Sequence, residues 1–284
     1  MTVDRLQNGS PRPTVSVICT ARNAEATIQP VLESIVRQSF PNWELVVVDD
    51  GSTDGTLNIL REYAKNDPRI RVIASPGVGR GKALNLAIGH CRSSLIANID
   101  ADDPSHFQRL EFQLKALKEH PEFTLICSDT VHLFDDDVLA QTTLEYQATA
   151  TTDITRELAL RNPINHSATL IRKVALDHLG GYSEKRRSLF DYELWIRLAE
   201  AGYKLGKLNC PLASKRIHSG QSFETKKRLA YLYGVSKLQS RAIRALGSHW
   251  SAWGVMVLKF VWGLLPQRLR IVSRQAAVLR LLPS

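Results

Sequence analysis

Between Thr14 and Asp103, short β-branched runs alternate with longer amphipathic stretches. That alternation restricts the chain to βαβ units wound about a mainly parallel sheet. Val15-Ser16-Val17-Ile18-Cys19 and Trp43-Glu44-Leu45-Val46-Val47-Val48 read as buried strands, and Arg71-Val72-Ile73-Ala74 and Ser94-Leu95-Ile96-Ala97-Asn98-Ile99 follow them. The first helix is expected to enter at Pro30, which suits an opening turn, burying Leu32, Ile35 and Val36 and exposing Glu33 and Arg37. Further helices are expected over Asp54 to Asn66, with Asp54 as cap or first-turn acid, and over Ser105 to Glu119 after Pro104. Another runs from Leu189 to Ala201, with Leu194, Trp195, Leu198 and Ala199 on its apolar side and Gly202 closing it. Leu125-Ile126-Cys127, His132-Leu133-Phe134 and Ala168-Thr169-Leu170-Ile171 read as strands, with a turn at Asp135-Asp136-Asp137.

With 284 residues, 44% of them hydrophobic and 23% charged, the chain can bury a real core and is neither collagen-like nor wholly disordered. Its net charge of +9 is unevenly spread: Glu224 to Ser284 holds 11 basic residues and one acid, whereas residues 1–223 carry −1. The basicity therefore belongs to a tail and says nothing about the substrate of the body. Cys19, Cys91, Cys127 and Cys210 show no C-x-x-C pair or metal-ligand spacing and read as reduced core thiols. Met1 to Pro13 is polar without an apolar signal-peptide segment, so the catalytic body is expected to face the cytosol.

Asp50 ends the second strand, Asp100 and Asp102 end the fourth, and Asp191 opens a helix. In open α/β sheets ligands bind beyond the carboxyl ends of the strands, where these carboxylates fall. In Asp100-Ala101-Asp102, residues i and i+2 of an extended segment face one side, so both can serve one ligand. Hard oxygen donors suit Mg²⁺ or Mn²⁺, whose shells diphosphate and water complete. A solvated acidic loop capping the following helix accounts for the same residues, and Asp191 would equally suit a helix N-terminus through the macrodipole. Pro76-Gly77-Val78-Gly79-Arg80-Gly81-Lys82-Ala83 fails the P-loop pattern at Pro76 and Ala83, and Lys82 breaks a dinucleotide fingerprint. What remains is a loop with Arg80 and Lys82 beside a helix N-terminus, fit to attract a phosphate or to be solvated. Asn165 and His166 precede a strand and are candidates for the acceptor side.

Val15-Ser16-Val17-Ile18-Cys19-Thr20-Ala21-Arg22-Asn23, then Val46-Val47-Val48-Asp49-Asp50-Gly51-Ser52-Thr53-Asp54-Gly55-Thr56, then Asn98-Ile99-Asp100-Ala101-Asp102-Asp103 resemble, in order and spacing, the family 2 glycosyltransferases of the GT-A fold. The likeness continues through Phe190-Asp191-Tyr192-Glu193-Leu194-Trp195-Ile196-Arg197 and Lys215-Arg216-Ile217-His218-Ser219-Gly220-Gln221-Ser222, covering roughly residues 14–223. The resemblance implies a Rossmann-like α/β fold with a mixed, mainly parallel sheet flanked by helices and a C-terminal helical extension. It implies an inverting transferase of the bacterial polysaccharide and glycolipid type, using Mn²⁺ or Mg²⁺ to move one sugar from a nucleotide-sugar, UDP by expectation, to a hydroxyl of a glycan or lipid-linked acceptor.

By position, Thr20, Arg22 and Asp50 match nucleoside-binding residues, with Asp50 accepting the imide N–H of uracil. Asp100 matches the Asp facing ribose or diphosphate, and Asp102 the metal ligand. Asp191 matches the catalytic base, although the family's usual Glu before it is Phe190 here. Arg216 and His218 match the loop that closes over the diphosphate, with His218 also a candidate metal ligand and Lys82 a donor contact. The Q-x-x-R-W element of processive members is absent, so one sugar per encounter is expected. Two other readings stay open: a sugar-phosphate nucleotidyltransferase and a catalytically silent nucleotide-sugar binder.

The domain reading is a flexible N-terminus 1–13, a catalytic domain 14–223 (nucleotide-binding half about 14–104, acceptor half about 105–223) and a basic amphipathic tail 224–284. Trp250 to Leu265 is short for a membrane span and contains Lys259. It suits an in-plane helix on an anionic membrane surface, with Arg268, Arg270, Arg274 and Arg280 facing lipid phosphates. The expected location is thus peripheral, on the inner face of the cell membrane. A helical cap or dimer interface would use the same residues. No nucleic-acid motif accompanies the charge.

Overall fold

The computed structural model describes residues 12–134, 137–146, 151–217, 228–247 and 249–265. The chain divides into two compact units, Met1–Thr155 with Ile164–His218, and Arg156–Pro163 with Ser219–Ser284.

The first unit is an eight-stranded sheet. Its strands are β1 (Val15–Ala21), β2 (Trp43–Asp50), β3 (Ile70–Ser75), β4 (Leu95–Asp100), β5 (Phe123–Phe134), β6 (Thr151–Asp153), β7 (Thr169–Arg172) and β8 (Lys204–Ile217), in the spatial order β3-β2-β1-β4-β7-β5-β8-β6. The pairs β1·β2, β2·β3, β1·β4 and β5·β8 are parallel. β7 runs antiparallel to both β4 and β5, and β6 antiparallel along the β8 edge. Helices α1 (Ile28–Val36), α2 (Thr56–Asn66), α3 (Arg80–His90), α4 (Arg109–Glu119), α5 (Lys173–Leu179) and α6 (Phe190–Glu200) complete the unit. The mixed, mostly parallel sheet flanked by helices is the arrangement the sequence patterning implied.

The strands are buried on both faces: Val15, Val17, Leu45, Val47, Ala97 and Ile99 join Ile28, Leu32, Ile35, Leu60 and Leu110 in one apolar cluster, and Ile18, Val46, Val48 and Ile96 are buried on the opposite face. Each fully buried Val, Leu or Ile contributes roughly 1.5–3 kcal/mol. At the start of α4 the buried cation Arg109 donates to the carbonyls of Asn98 (2.7 Å) and Thr169 (3.0 Å), to Ser105 Oγ (2.9 Å) and to Gln113 Oε1 (3.1 Å). Gln113 in turn donates to the Ala168 (2.7 Å) and Ile126 (3.3 Å) carbonyls. α4 is thereby tied to the three strands β4, β7 and β5. Burial pushes the Arg109 guanidinium down to about 9, with the charge of Asp100 opposing.

Several expected boundaries move, for identifiable reasons. α1 begins at Ile28, so Pro30 sits inside its first turn, and Val36 is exposed rather than buried. α4 begins at Arg109 because residues 104–106 pair with β8 instead: His106 N–H donates to the Leu212 carbonyl (2.9 Å) and Ser214 N–H to that of Pro104 (3.2 Å). The two short strands expected at 125–127 and 132–134 are one, β5, and of the turn beyond them residues 135–136 lie outside the described residues.

In the second unit α7 (Arg228–Ala245) and α8 (Ser251–Leu264) pack through Ile243, Leu246, Ala252 and Met256 with Ala159. Gln239 Nε2 fastens α7 to the carbonyls of Ala159 (3.1 Å) and Leu160 (2.8 Å).

At the amino ends of the parallel strands, the buried Glu44 carboxylate accepts from Ser16 Oγ (2.6 Å), Arg92 N–H (2.7 Å) and Arg92 Nε (2.8 Å), with Arg71 Nη1 at 3.4 Å. Burial alone would raise its pKa, but the bonds from Ser16 and Arg92 outweigh that and hold it below the usual glutamate value. A carboxyl depressed on folding stabilises above its unfolded pKa and loses that contribution as the pH falls through its folded one. Glu44→Gln should therefore lower the thermal midpoint at pH 7, and the gap to the native protein should narrow in melts taken progressively below pH 4.5.

Candidate active site

The carboxyl ends of β1, β2 and β4 open into a cavity of about 410 Å³ lined by Thr20, Arg22, Asp50, Arg80, Asp100 and Asp102 among others. Its walls are held by loops that bond to each other. Asn23, at φ 51°, accepts on Oδ1 from Thr53 N–H (2.8 Å) and donates its own N–H to Ser52 Oγ (3.0 Å). Ala24 N–H donates to Thr56 Oγ1 (2.8 Å), and Asp54 takes the Thr56 (3.0 Å) and Glu25 (3.2 Å) amides, a structural task. Gly51 has φ +75°, and a Cβ there would stand 2.9 Å from Gly77 N, so only glycine lets the β2 and β3 loops meet.

Asp50 is buried and collects the β3–α3 loop: Oδ1 accepts from Ser75 Oγ (3.1 Å) and Val78 N–H (2.7 Å), and Oδ2 from Gly79 N–H (2.9 Å). The loop delivers Arg80, whose Nη2 donates to Asp100 Oδ1. Arg80, absent from the donor residues matched by position, lines this cavity together with Arg22, whereas Lys82, on the same helix, is not among its lining residues. Burial alone would lower the pKa of Arg80, yet it is raised, because Asp100, Asp191 and Asp102 all act on it. Asp191 lies on the first turn of α6.

Asp100 Oδ1 also meets His166 Nδ1 (2.9 Å), and His166 Nε2 meets the Tyr182 hydroxyl (3.0 Å). Burial would raise the pKa of Asp100, but Arg80 and His166 hold it far below the usual carboxylate range. As an ionised carboxylate accepts only, Nδ1 carries the hydrogen. His166 thus supports Asp100, a role that the pairing of β7 with β4 explains: Ala97 stands opposite Leu170, and continuing that register brings residues 166–167 beside 100.

Asp100, Asp102 and Asp103 offer carboxylate oxygens within 4.8 Å of one another. Asp103 is the most committed, accepting from Ser167 Oγ (2.8 Å) and Arg216 N–H (2.8 Å). Burial, then the charges of Asp100 and Asp102, push it up to about 7. Three hard oxygen donors crowded until one resists ionisation fit a divalent cation. The Arg216 side chain turns elsewhere, donating to the Asp137 carbonyl (3.2 Å) and lining a second cavity of about 520 Å³ with Thr27, Pro30, Glu33 and Pro104. Thr27 touches both cavities. His218 lies outside the described residues.

Residues 16–180 match the family profile described as Glycosyl transferase family 2. Among curated relatives, the putative glycosyltransferase EpsE of Bacillus subtilis is 33% identical over 227 residues, 78% of each chain. The putative teichuronic acid biosynthesis glycosyltransferase TuaG of the same organism is 31% identical over 72% of this chain and 80% of its own. Among solved structures, S. aureus TarS in complex with UDP-GlcNAc superposes with a TM-score of 0.64 over 88% of this chain and 72% of its own at 19% identity. The mannosyltransferase PcManGT from Pyrobaculum calidifontis, in complex with GDP-Man and Mn²⁺, gives 0.60 over 97% and 77% at 20% identity. These last two show a shared GT-A fold.

Because Asp50 holds two backbone amides of the cavity wall, Asp50→Asn should speed hydrogen exchange at Val78 and Gly79 about tenfold or more, as bonds to a charged acceptor are worth about 1.5–3 kcal/mol. Exchange at Leu45 to Val47, deeper in β2, should change far less.

Proposed function

The chain belongs to glycosyl transferase family 2 and is a glycosyltransferase, and on that premise we propose that it moves one sugar from a UDP-sugar to a hydroxyl of a glycan or lipid-linked acceptor, with inversion at the anomeric carbon. The observation that carries this reading is a cavity at the carboxyl ends of the parallel strands whose wall brings Thr20, Arg22, Asp50, Arg80, Asp100 and Asp102 together. Thr20, Arg22 and Asp50 hold the nucleoside. Asp50 Oδ2 accepts one hydrogen bond against two on Oδ1, which leaves an acceptor position for a uracil imide N–H.

Asp102, with Asp100 beside it, would hold a Mn²⁺ or Mg²⁺ ion, which would supply neutralising charge to the departing diphosphate. Arg80, together with Lys82, Arg216 and His218, adds fixed positive charge where that oxygen becomes anionic. Asp191 takes the acceptor proton as the hydroxyl oxygen bonds to the anomeric carbon, and the broken carbon–oxygen bond leaves its electron pair on the diphosphate. One displacement from the far face inverts the configuration.

The second unit suits work at an anionic membrane surface. Around α8, Trp253, Val257, Leu258, Val261, Trp262 and Leu264 are all exposed, Leu258 to 70%, whereas Lys259 is turned to the Leu160 carbonyl (2.6 Å). An outward helix face of this kind without charge marks an interaction surface, and the net +10 of residues 224–284 favours anionic lipid over neutral lipid. Among the described residues no helix is long and apolar enough to cross a membrane.

Thermal shifts with UDP-, GDP- and dTDP-sugars in Mn²⁺ should single out a UDP-sugar, and chelation should abolish the shift. Asp191→Asn should cut transfer by about 10²–10⁴-fold while the donor still binds; retained turnover rejects the base, and binding with no turnover by the native protein favours a silent binder. In flotation assays the protein should rise with phosphatidylglycerol vesicles and not with phosphatidylcholine. Trp253→Ser with Trp262→Ser should abolish that, while a concentration-dependent dimer lost in the same variant would assign the face to self-association.

A further inference from the structure

Phe190 stands where an acid normally precedes the base in this family, and its ring occupies a specific place. The Arg80 guanidinium carbon lies 5.0 Å from the ring centroid, over its face. The His166 and Tyr182 rings meet it edge-to-face at 5.7 and 6.0 Å. Both partners of Asp100 therefore rest on one aromatic side chain. The residue before it, Leu189, is held at φ 57°, a left-handed conformation uncommon outside glycine and costly for a branched side chain. That strain sets the angle at which Phe190 and Asp191 enter α6.

We propose that Phe190 is a positioning residue: its ring holds Arg80 and His166 against Asp100 and thereby keeps the N–H donors of Arg80 available to the donor diphosphate. The inference rests on the donor cavity assigned under the proposed function. Its physical basis is that a guanidinium has five N–H donors in its own plane, and stacking on a ring face consumes none of them. A carboxylate at position 190 would instead draw those donors into an ion pair and add a further negative charge to those of Asp100, Asp102 and Asp191. An aliphatic side chain would fill the space and offer no face to the cation. The neutral ring orients Arg80 without competing for it.

The test is calorimetric titration of UDP, GDP and dTDP, each with Mn²⁺, into the native full-length chain and into Phe190→Leu, Phe190→Tyr and Phe190→Glu. The best native nucleotide should bind about 3- to 30-fold more weakly to Phe190→Leu, the range that a partly desolvated cation–π contact spans. Phe190→Tyr should bind within about twofold of native, since it restores the ring face. Phe190→Glu should bind more weakly than Phe190→Leu. In turnover assays the loss should raise the donor KM more than it lowers kcat. The Arg80 Nε–H resonance, shifted by the ring in the native protein, should move in Phe190→Leu and return in Phe190→Tyr. Unchanged nucleotide affinity in Phe190→Leu, or equal losses in the Leu and Tyr variants, overturns the role of the ring while leaving the donor cavity intact. A native protein that binds none of the three nucleotides overturns the cavity assignment and this role with it.

Discussion

Three carboxylates, those of Asp100, Asp102 and Asp103, crowd one crevice and repel each other, and a fold that assembles them needs a compensating charge in the same place. With oxygens within 4.8 Å, a pair of carboxylates costs on the order of 3 kcal/mol at an effective dielectric of about 20. Arg80 supplies the compensation: it bonds Asp100 and feels Asp191 and Asp102. What it does not reach is visible at Asp103, whose burial beside two like charges lifts its carboxyl to about 7. A divalent ion and an anionic donor entering together would change the balance by small net charge, which is why such a crevice can be both acidic and suited to a diphosphate.

The position of Arg80 depends on backbone rather than on side-chain reach. Asp50 collects the amides of Val78 and Gly79, and Gly51 allows that loop to lie against β2. A second close approach, where a Cβ on Gly81 would stand 2.5 Å from the Ser183 carbonyl, seats the start of α3 on the segment leading to α6. Asn85 fastens the same segment by exchanging bonds with the Tyr182 backbone (2.8 and 2.9 Å). Arg80 and Asp191 are therefore related through backbone contacts, and the crevice is largely set before any ligand arrives.

The parallel half of the sheet was readable because its strands are short, β-branched and separated by amphipathic helices, a pattern with few alternative folds. The carboxylates were readable as candidates because strand ends are where such sheets bind ligands. Harder to see was anything that depends on which strands are neighbours. His166 was assigned only to a loop with an acceptor-side possibility, because its meeting with Asp100 requires β7 to lie antiparallel beside β4. Likewise nothing in the sequence marks Arg109 within its helix, and only the packing of α4 against β4 and β7 makes it a buried cross-link. The sequence resemblance favours Lys82 as the donor contact, whereas in the structure Arg80, the first residue of α3, is the one that lines the cavity.

In the second unit the apolar and basic residues fall on different segments. In α8 the single cation, Lys259, points to a backbone carbonyl, so the outward face is apolar without charge, and the tail's other cations fall outside that helix. Attraction and insertion then reside in different residues. Coulombic attraction reaches about 8–10 Å at physiological salt and weakens as salt rises, whereas apolar burial acts only at contact and resists salt. A surface built this way would be drawn to anionic lipid by charge and retained by tryptophan and aliphatic side chains. High salt should slow arrival far more than it hastens departure, a kinetic asymmetry that a helix with intermixed charge would not show.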